Sequence, residues 1–218
     1  MMAARARPPR RRQDERTART RQRLLKAAAA EFAARGFSGA SGDRIGRTAR
    51  VNKAMIYYHF TSKAALYREI LRDMFGAVRA RVAAVAASDA APEDKVRAYI
   101  DAIAREAEAR PHFPPIWLRE IAEGAAHVDA VTLGYVREVL GALGAIIGEG
   151  VRAGRFQPAH PLLVQGGIIA PLMFFLATAP LRRKIARAGV EGIPAISRDT
   201  VVAHIQRLTL AQLEGKIT

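Results

Sequence analysis

The chain is predicted to be all-α, and three observations carry that prediction. Half of its 218 residues are apolar while only 6% are aromatic, a balance that suits helices built from Ala, Leu, Ile and Val. Apolar positions recur three and four residues apart in segment after segment, and no stretch reads convincingly as a strand. Proline and glycine punctuate the intervals between most of those segments. The length allows a sizeable core in one or two domains.

The elements follow in order. Residues 1–16 are rich in Pro and Arg and read as a basic arm, disordered by itself. Residues 17–36 form the first helix, with Leu24, Leu25, Ala28 and Phe32 on its inner face and Gly36 at its exit. Ser41 is placed to cap a second helix, with Asp43 at its positive end and Ile45, Thr48 and Ala49 along one face. The chain turns near Arg50, and Val51 supplies an apolar plug. Asn52 then caps a third helix whose first turn holds Lys53, Ala54 and Met55, and whose Ile56 and Phe60 point together into a core. Thr61 or Ser62 starts a long helix, 62–87, lined by Leu66, Ile70, Leu71, Met74, Val78, Val82 and Val85.

Beyond a connector at Ser88–Pro92, the segment Pro92 to Arg110 is amphipathic through Val96, Tyr99, Ile100 and Ile103. Pro111, Pro114 and Pro115 break the chain before a short helix carrying Ile116, Trp117, Leu118 and Ile121. A longer helix runs from about Val128 to Arg152 and stops at Gly154. A very apolar helix over 161–179 is ended by Pro180, residues 181–194 read as basic and turn-like, and a last helix spans 198–213. Leu162 to Ala179 is the only run that approaches membrane-spanning length, but Gln165, Gly166, Gly167 and Pro171 interrupt it, and a helix buried in a dimer reads the same way. No membrane is expected.

Residues 41–63 carry the most specific signal. Two short helices about a tight turn, followed by Tyr57, Tyr58, His59 and Lys63, form a helix-turn-helix with a phosphate-gripping edge, which points to double-stranded DNA. Charge placement agrees. Residues 1–60 hold 15 Arg or Lys against 4 Asp or Glu, a balance of +11 out of the total of +15, so the other 158 residues contribute only +4.

The same residues resemble the TetR (tetracycline-repressor-like) family of bacterial transcriptional regulators. The resemblance rests on Ile45 to Leu66, which includes Val51-Asn52, Ile56-Tyr57-Tyr58-His59-Phe60 and Ser62-Lys63, and on the upstream Leu24–Ala28 and Phe32–Phe37. It covers roughly 50 residues of the N-terminal third. Two positions depart from the family pattern. Arg50 stands where the turn usually has glycine, so either a non-glycine residue is left-handed there or the turn differs. Gly46 stands where alanine is usual, at a cost of up to about 1 kcal/mol of helix propensity.

The resemblance implies a DNA-binding domain over 17–78, with its motif at 41–60, and a C-terminal domain over 79–218 that binds a small molecule and holds a dimer together. Arg44, Asn52, Lys53, Ala54 and Met55 are the expected major-groove set. Tyr58, His59 and Lys63 are expected to grip phosphates with Arg47, and Tyr57 either to contact DNA or to pack. The apolar 161–179 helix and the amphipathic 198–213 helix are the expected homodimer contacts. His112, Phe113, Trp117, Glu120, Glu123 and His127 bring unusual chemistry into an aliphatic domain and are candidates to line an effector pocket.

Other functions find less support. Without cysteine there is neither a disulfide framework nor a thiolate metal site. The five histidines form no pair at helical metal-ligand spacing, and no glycine-rich phosphate loop follows a strand, so neither a metal, a cofactor nor an enzymatic activity is expected. The basic N-terminus has no apolar stretch that would make it a secretory signal, and the expected location is cytoplasmic. The expectation is a homodimeric repressor released from a palindromic operator by a ligand. An architectural DNA binder and a protein-interaction module are the alternatives.

Overall fold

In the computed structural model, residues 10–189 and 196–216 are described, and among them the chain is helical throughout. Ten helices follow one another: α1 (Arg10–Gly39), α2 (Gly42–Ala49), α3 (Ala54–Phe60), α4 (Lys63–Ala86), α5 (Pro92–Ala109), α6 (Phe113–Ala122), α7 (Ala130–Arg152), α8 (Pro161–Ala177), α9 (Ala179–Arg187) and α10 (Arg198–Leu213). They divide into two compact units, Met1–Ile70 and Leu71–Thr218.

The first unit is built on the inner face of α1. Leu24, Ala28 and Phe32 are fully buried with Ile45 of α2, and Ile56 and Phe60 of α3 close over the same core. Phe32 and Phe37 both meet the Tyr67 ring edge-on, at 4.7 and 5.3 Å between centroids. Helix α1 turns out of helical geometry at Gly36, whose φ of 68° falls where the glycine-ended exit was expected. At its other end α1 begins at Arg10, so residues 10–16 of the expected arm are helical and residues 1–9 lie outside the described region.

The second unit buries Tyr99, Ile100 and Ile103 of α5, Ile116 of α6, Leu143 and Ile146 of α7, Ile168 and Leu172 of α8, and Ile205 and Leu213 of α10. Its buried charges are paired: Lys95 reaches Glu149 at 2.7 Å, and Glu106 is held by Arg81 and Arg110. Asp129 caps α7 by accepting from the Thr132 amide at 2.9 Å.

Two expectations change here. The segment after Pro180 is helical as far as Arg187 rather than turn-like, because Pro180 sits in the first turn of α9, where its fixed φ and missing N–H suit a helix start. Residues 190–195 of that segment lie outside the described region. In addition, the 162–179 run is not the sole apolar stretch of spanning length. Helix α7 qualifies by length and composition, whereas α8 and α9 qualify only together, across a 50° bend.

Candidate functional site

The site in the first unit is the α2–α3 pair and the turn that joins it. Helix α2 ends at Arg50, which takes up the left-handed conformation with φ 53° and ψ 47° and donates its amide to the Arg47 carbonyl at 3.0 Å. A non-glycine residue therefore makes this turn in left-handed geometry. Arg23 of α1 supports it from below, its guanidinium donating to the carbonyls of Ala49 and Arg50. Gly46 serves the same turn: a Cβ there would stand 3.0 Å from the Val51 carbonyl oxygen and 3.4 Å from the Lys53 amide nitrogen. The propensity cost expected at Gly46 thus accompanies a close helix-to-turn approach.

Capping differs from one end to the next. Ser41 does not cap α2 through its side chain; its carbonyl accepts from the Ile45 amide, and its own amide donates to Glu31 at 3.3 Å. Asn52 does act as expected, its Oδ1 accepting from the Ala54 amide at 2.9 Å. Ser62 restarts the chain as α4, its hydroxyl oxygen accepting from the Ala65 amide at 3.0 Å.

Ile56 and Phe60 hold the inner face of α3, which leaves Asn52, Lys53, Ala54, Tyr57 and Tyr58 outward. Tyr57 is 53% exposed and Tyr58 74%, so two aromatic rings stand in solvent on one short helix. Lys53 reaches across to Asp43 of α2 at 3.1 Å, and Arg47 is exposed beside it. Met55 is half-buried.

Three members of the expected DNA-facing set are committed within the domain. Arg44 is drawn back onto α1, donating to Glu31 at 2.5 Å and to the Gly39 carbonyl at 2.6 Å. Lys63 donates to the carbonyls of Phe37 and Ala40, at 2.9 and 3.3 Å, and its ammonium lies 4.5 Å from the Phe37 ring centre. It closes the C-terminal end of α1, where a cation is favoured. The His59 ring packs beside Tyr58 with its Nε2 buried and without a hydrogen-bond partner, so that atom does not face solvent.

The Glu31–Arg44 tie gives a pH-dependent expectation. Burial pushes the Glu31 carboxyl up, but the Arg44 guanidinium and the Ser41 amide pull it further down, to a value below the usual carboxylate range. A depressed folded-state value means that the stabilisation is complete above the unfolded-state value of about 4.3 and is lost as pH falls through the folded one. Glu31→Gln should therefore destabilise the protein by about 1–2 kcal/mol at pH 7, from the loss of a charge-assisted bond. Urea melts at pH 7 and near pH 3 check this, with variant and wild type converging at the lower pH.

The second unit contains an apolar cavity of about 240 Å³. Phe113, Trp117 and Ile121, each four apart on α6, form one wall; Phe75 and Val78 of α4, Val139 of α7 and Ile169 and Met173 of α8 form others. Gln165 is the carboxamide in this lining, and its Oε1 accepts from the Tyr99 hydroxyl at 2.8 Å. Burial pushes the Tyr99 phenol well above its ordinary range, with the Gln165 bond opposing, so it stays a neutral donor.

The expected pocket set therefore divides. Phe113 and Trp117 line the cavity, whereas His112, Glu120, Glu123 and His127 do not. His112 stands before the first turn of α6, and burial together with Arg110 holds its imidazole below the usual value against the pull of Asp73. Glu120 follows Trp117 by three residues, so the two share a side of α6, yet the Glu120 carboxylate is taken up outside the cavity. It is fully buried and accepts from the His127 amide at 3.2 Å, with His127 Nδ1 at 2.9 Å. Glu120, Glu123 and His127 offer one ligand atom each within 4.8 Å of one another, a donor set that could hold a metal ion. A search for histidine pairs misses this cluster because its spacing mixes one histidine with two carboxylates.

Comparison with known proteins bears on both units. A family profile described as bacterial regulatory proteins, tetR family, matches residues 24–70. The chain is 29% identical over 159 residues to the HTH-type transcriptional repressor NicS of Pseudomonas putida, covering 72% of this chain and 75% of that protein. It is 44% identical over 52 residues to the HTH-type transcriptional repressor SCO4008 of Streptomyces coelicolor, an alignment that spans 24% of this chain and only about a quarter of that relative's length (27%). Among solved structures, the TetR family transcriptional regulator PfmR from Thermus thermophilus aligns with a TM-score of 0.68 at 21% identity, covering 88% of this chain and 98% of that one.

Proposed function

We propose that this chain, which belongs to the TetR family of bacterial regulatory proteins, is a homodimeric repressor that leaves a palindromic operator when a small apolar molecule fills its second unit. That it is a DNA-binding transcriptional regulator rather than an enzyme follows from its family and its relatives. The finer reading rests above all on the outward face of α3. Asn52, Lys53, Ala54, Tyr57 and Tyr58 are exposed together on a seven-residue helix and its entry, while Ile56 and Phe60 of that helix are buried. A recognition helix reads base edges with its N-terminal residues, which assigns Lys53 and Ala54 to the groove. Tyr57, Tyr58 and Arg47 then take the phosphates, with Lys63 holding the frame that presents them.

One such helix reads few bases, so a dimer is needed to read enough. Support for one comes from α8, where Leu163, Gly167, Ala170 and Phe174 recur at four, three and four residues and are all exposed. Leu208 adds an exposed apolar side chain on α10. Pairing α8 and α10 with their copies about a two-fold axis would cover these faces in a four-helix contact.

The cavity suits an uncharged, largely hydrocarbon effector with one polar group facing the Gln165 carboxamide. Phe75 and Val78 belong to the same helix, α4, that supplies Leu66 and Ile70 to the first unit's core. Effector binding would shift α4 and so alter the spacing of two reading heads that must fit one DNA face. A regulator of this kind acts where the chromosome lies, which places it in the cytoplasm.

Selection from a random duplex library at near-physiological salt tests the reading. One palindromic consensus is the expected result, and retention of DNA without any consensus would instead favour an architectural binder. Lys53→Ala should then lower discrimination at one base position about 5- to 150-fold, the worth of a good base contact of about 1–3 kcal/mol.

A further inference from the structure

We infer that the N-terminal turns of α1 form a second DNA contact, a stripe of cations that grips duplex phosphates flanking the half-site read by α3. This inference rests on the DNA-binding reading above. Arg16, Arg19, Arg23 and Lys26 follow one another at three, four and three residues, which places them on one face of α1, and all four are exposed. Arg21 falls off this face and fixes its direction: it pairs with Glu69 at 2.6 Å and lies over the Phe60 ring at 5.1 Å. The rotation of α1 about its axis is thereby set, with Arg21 toward the core of the first unit and the stripe away from it.

The stripe begins at the reading head. Arg23 donates to the carbonyls of Ala49 and Arg50, the turn that leads into α3, where Arg47 and Arg50 are also exposed. From Arg23 back to Arg16 the helix advances by about 10 Å at ~1.5 Å per residue. A duplex presents one negative charge per ~1.7 Å of its axis, so several phosphates fall within that reach. Residues 13–19 are all exposed and bury no apolar side chain, so core packing does not account for these turns. The acidic neighbours are few: Glu15 borders the stripe one turn before Arg19, and Asp14 lies on the opposite side of the helix. Charge complementarity and continuity with the α2–α3 surface both select DNA as the occupant.

The test uses the full chain and two duplexes carrying the selected consensus. One is trimmed to the consensus, and the other is extended by about one helical turn, roughly 10 base pairs, at each end. Binding is read by fluorescence anisotropy across a salt series for wild type, Arg16→Gln/Arg19→Gln and Arg16→Lys/Arg19→Lys. Wild type should prefer the extended duplex and show the steeper salt dependence on it. The glutamine variant should lose that preference, and its slope of log Kobs against log salt should fall by about 1.8 per chain, ~0.9 for each phosphate contact removed. The lysine variant should keep the slope, and the ratio of consensus to scrambled duplex should not change. Both variants should melt like wild type, since Arg16 and Arg19 are exposed. A glutamine variant that keeps wild-type slope and flank dependence overturns the second contact alone. A wild-type chain whose DNA binding shows no salt dependence overturns the DNA-binding reading and this inference with it.

Discussion

Leu163→Asp/Phe174→Asp is expected to yield a folded monomer whose affinity for the selected operator is lower by about 10²- to 10⁴-fold. The size of the effect follows from avidity: once one head is bound, the second binds at the high effective concentration set by the dimer, and a monomer loses that gain entirely. Both side chains lie in solvent within the single chain, at 71% and 66% exposure, so a carboxylate at either position costs the fold little. Within a paired α8 the same carboxylates would be desolvated next to their own copies, where like charges repel. Light scattering should show the mass falling from about 47 kDa, twice the chain mass of 23.7 kDa, to that of one chain. Thermal melts should remain cooperative. A variant that stays dimeric and keeps full operator affinity would move the interface off α8.

The two units are legible in the sequence to different degrees, for physical reasons. Buried faces repeat at helical spacing, so α5 could be read from Val96, Tyr99, Ile100 and Ile103, and α10 from Val202, Ile205 and Leu213. Ends marked by backbone conformation could also be read, as at Gly36 and Gly154, with φ of 68° and 67°. What stayed hidden depends on partners distant in sequence. Arg44 looks like any exposed cation next to a recognition helix until Glu31, thirteen residues earlier, is brought to it. Lys63 and Arg23 bond to backbone carbonyls 26 residues away, and a carbonyl leaves no mark on sequence pattern.

The cavity shows the same limit. Phe113 and Trp117 could be singled out because two aromatics four apart stand out in an aliphatic region. The opposite walls come from α4, α7 and α8, where Phe75, Val139 and Ile169 resemble ordinary core residues. Gln165 was visible only as a polar interruption in an apolar run. Its use emerges once Tyr99, 66 residues earlier, donates to it. Conversely, Glu120, Glu123 and His127 are chemically conspicuous in the sequence, yet none lines the cavity: Glu123 and His127 lie beyond the end of α6, and His127 takes up the Glu120 carboxylate.

Gly150→Ala should be the most destabilising single methyl group that can be added to the second unit among its described glycines. A Cβ at this position would stand 2.0 Å from Cδ2, 2.5 Å from Cε2 and 2.6 Å from Cγ of Phe156, none of which is a tolerable contact. Phe156 cannot move aside cheaply. It is 4% exposed, its amide and that of Arg155 donate to the Gly150 carbonyl at 3.2 and 2.8 Å, and the next amide, of Gln157, donates to Leu213 at the end of α10 at 2.7 Å. The ring would have to leave its site, at a cost near that of deleting a buried Phe, about 3–5 kcal/mol, against a gain of up to about 1 kcal/mol in helix propensity. A net loss of about 2–4 kcal/mol should lower Tm by roughly 4–15 °C for a chain of this length. Alanine at Gly134 or Gly141 of α7, where nothing lies within 4 Å, should leave Tm almost unchanged in the same chain. The decisive comparison is Gly150→Ala/Phe156→Ala. Phe156→Ala alone leaves a void that the added methyl partly fills, so the double variant should be more stable than the sum of the two single losses predicts, by about 1 kcal/mol or more on the scale of directly contacting pairs, roughly 0.5–3 kcal/mol. Simple additivity would mean that the ring relaxes out of the way, and that the contact of Gly150 with Phe156 does not set the end of α7.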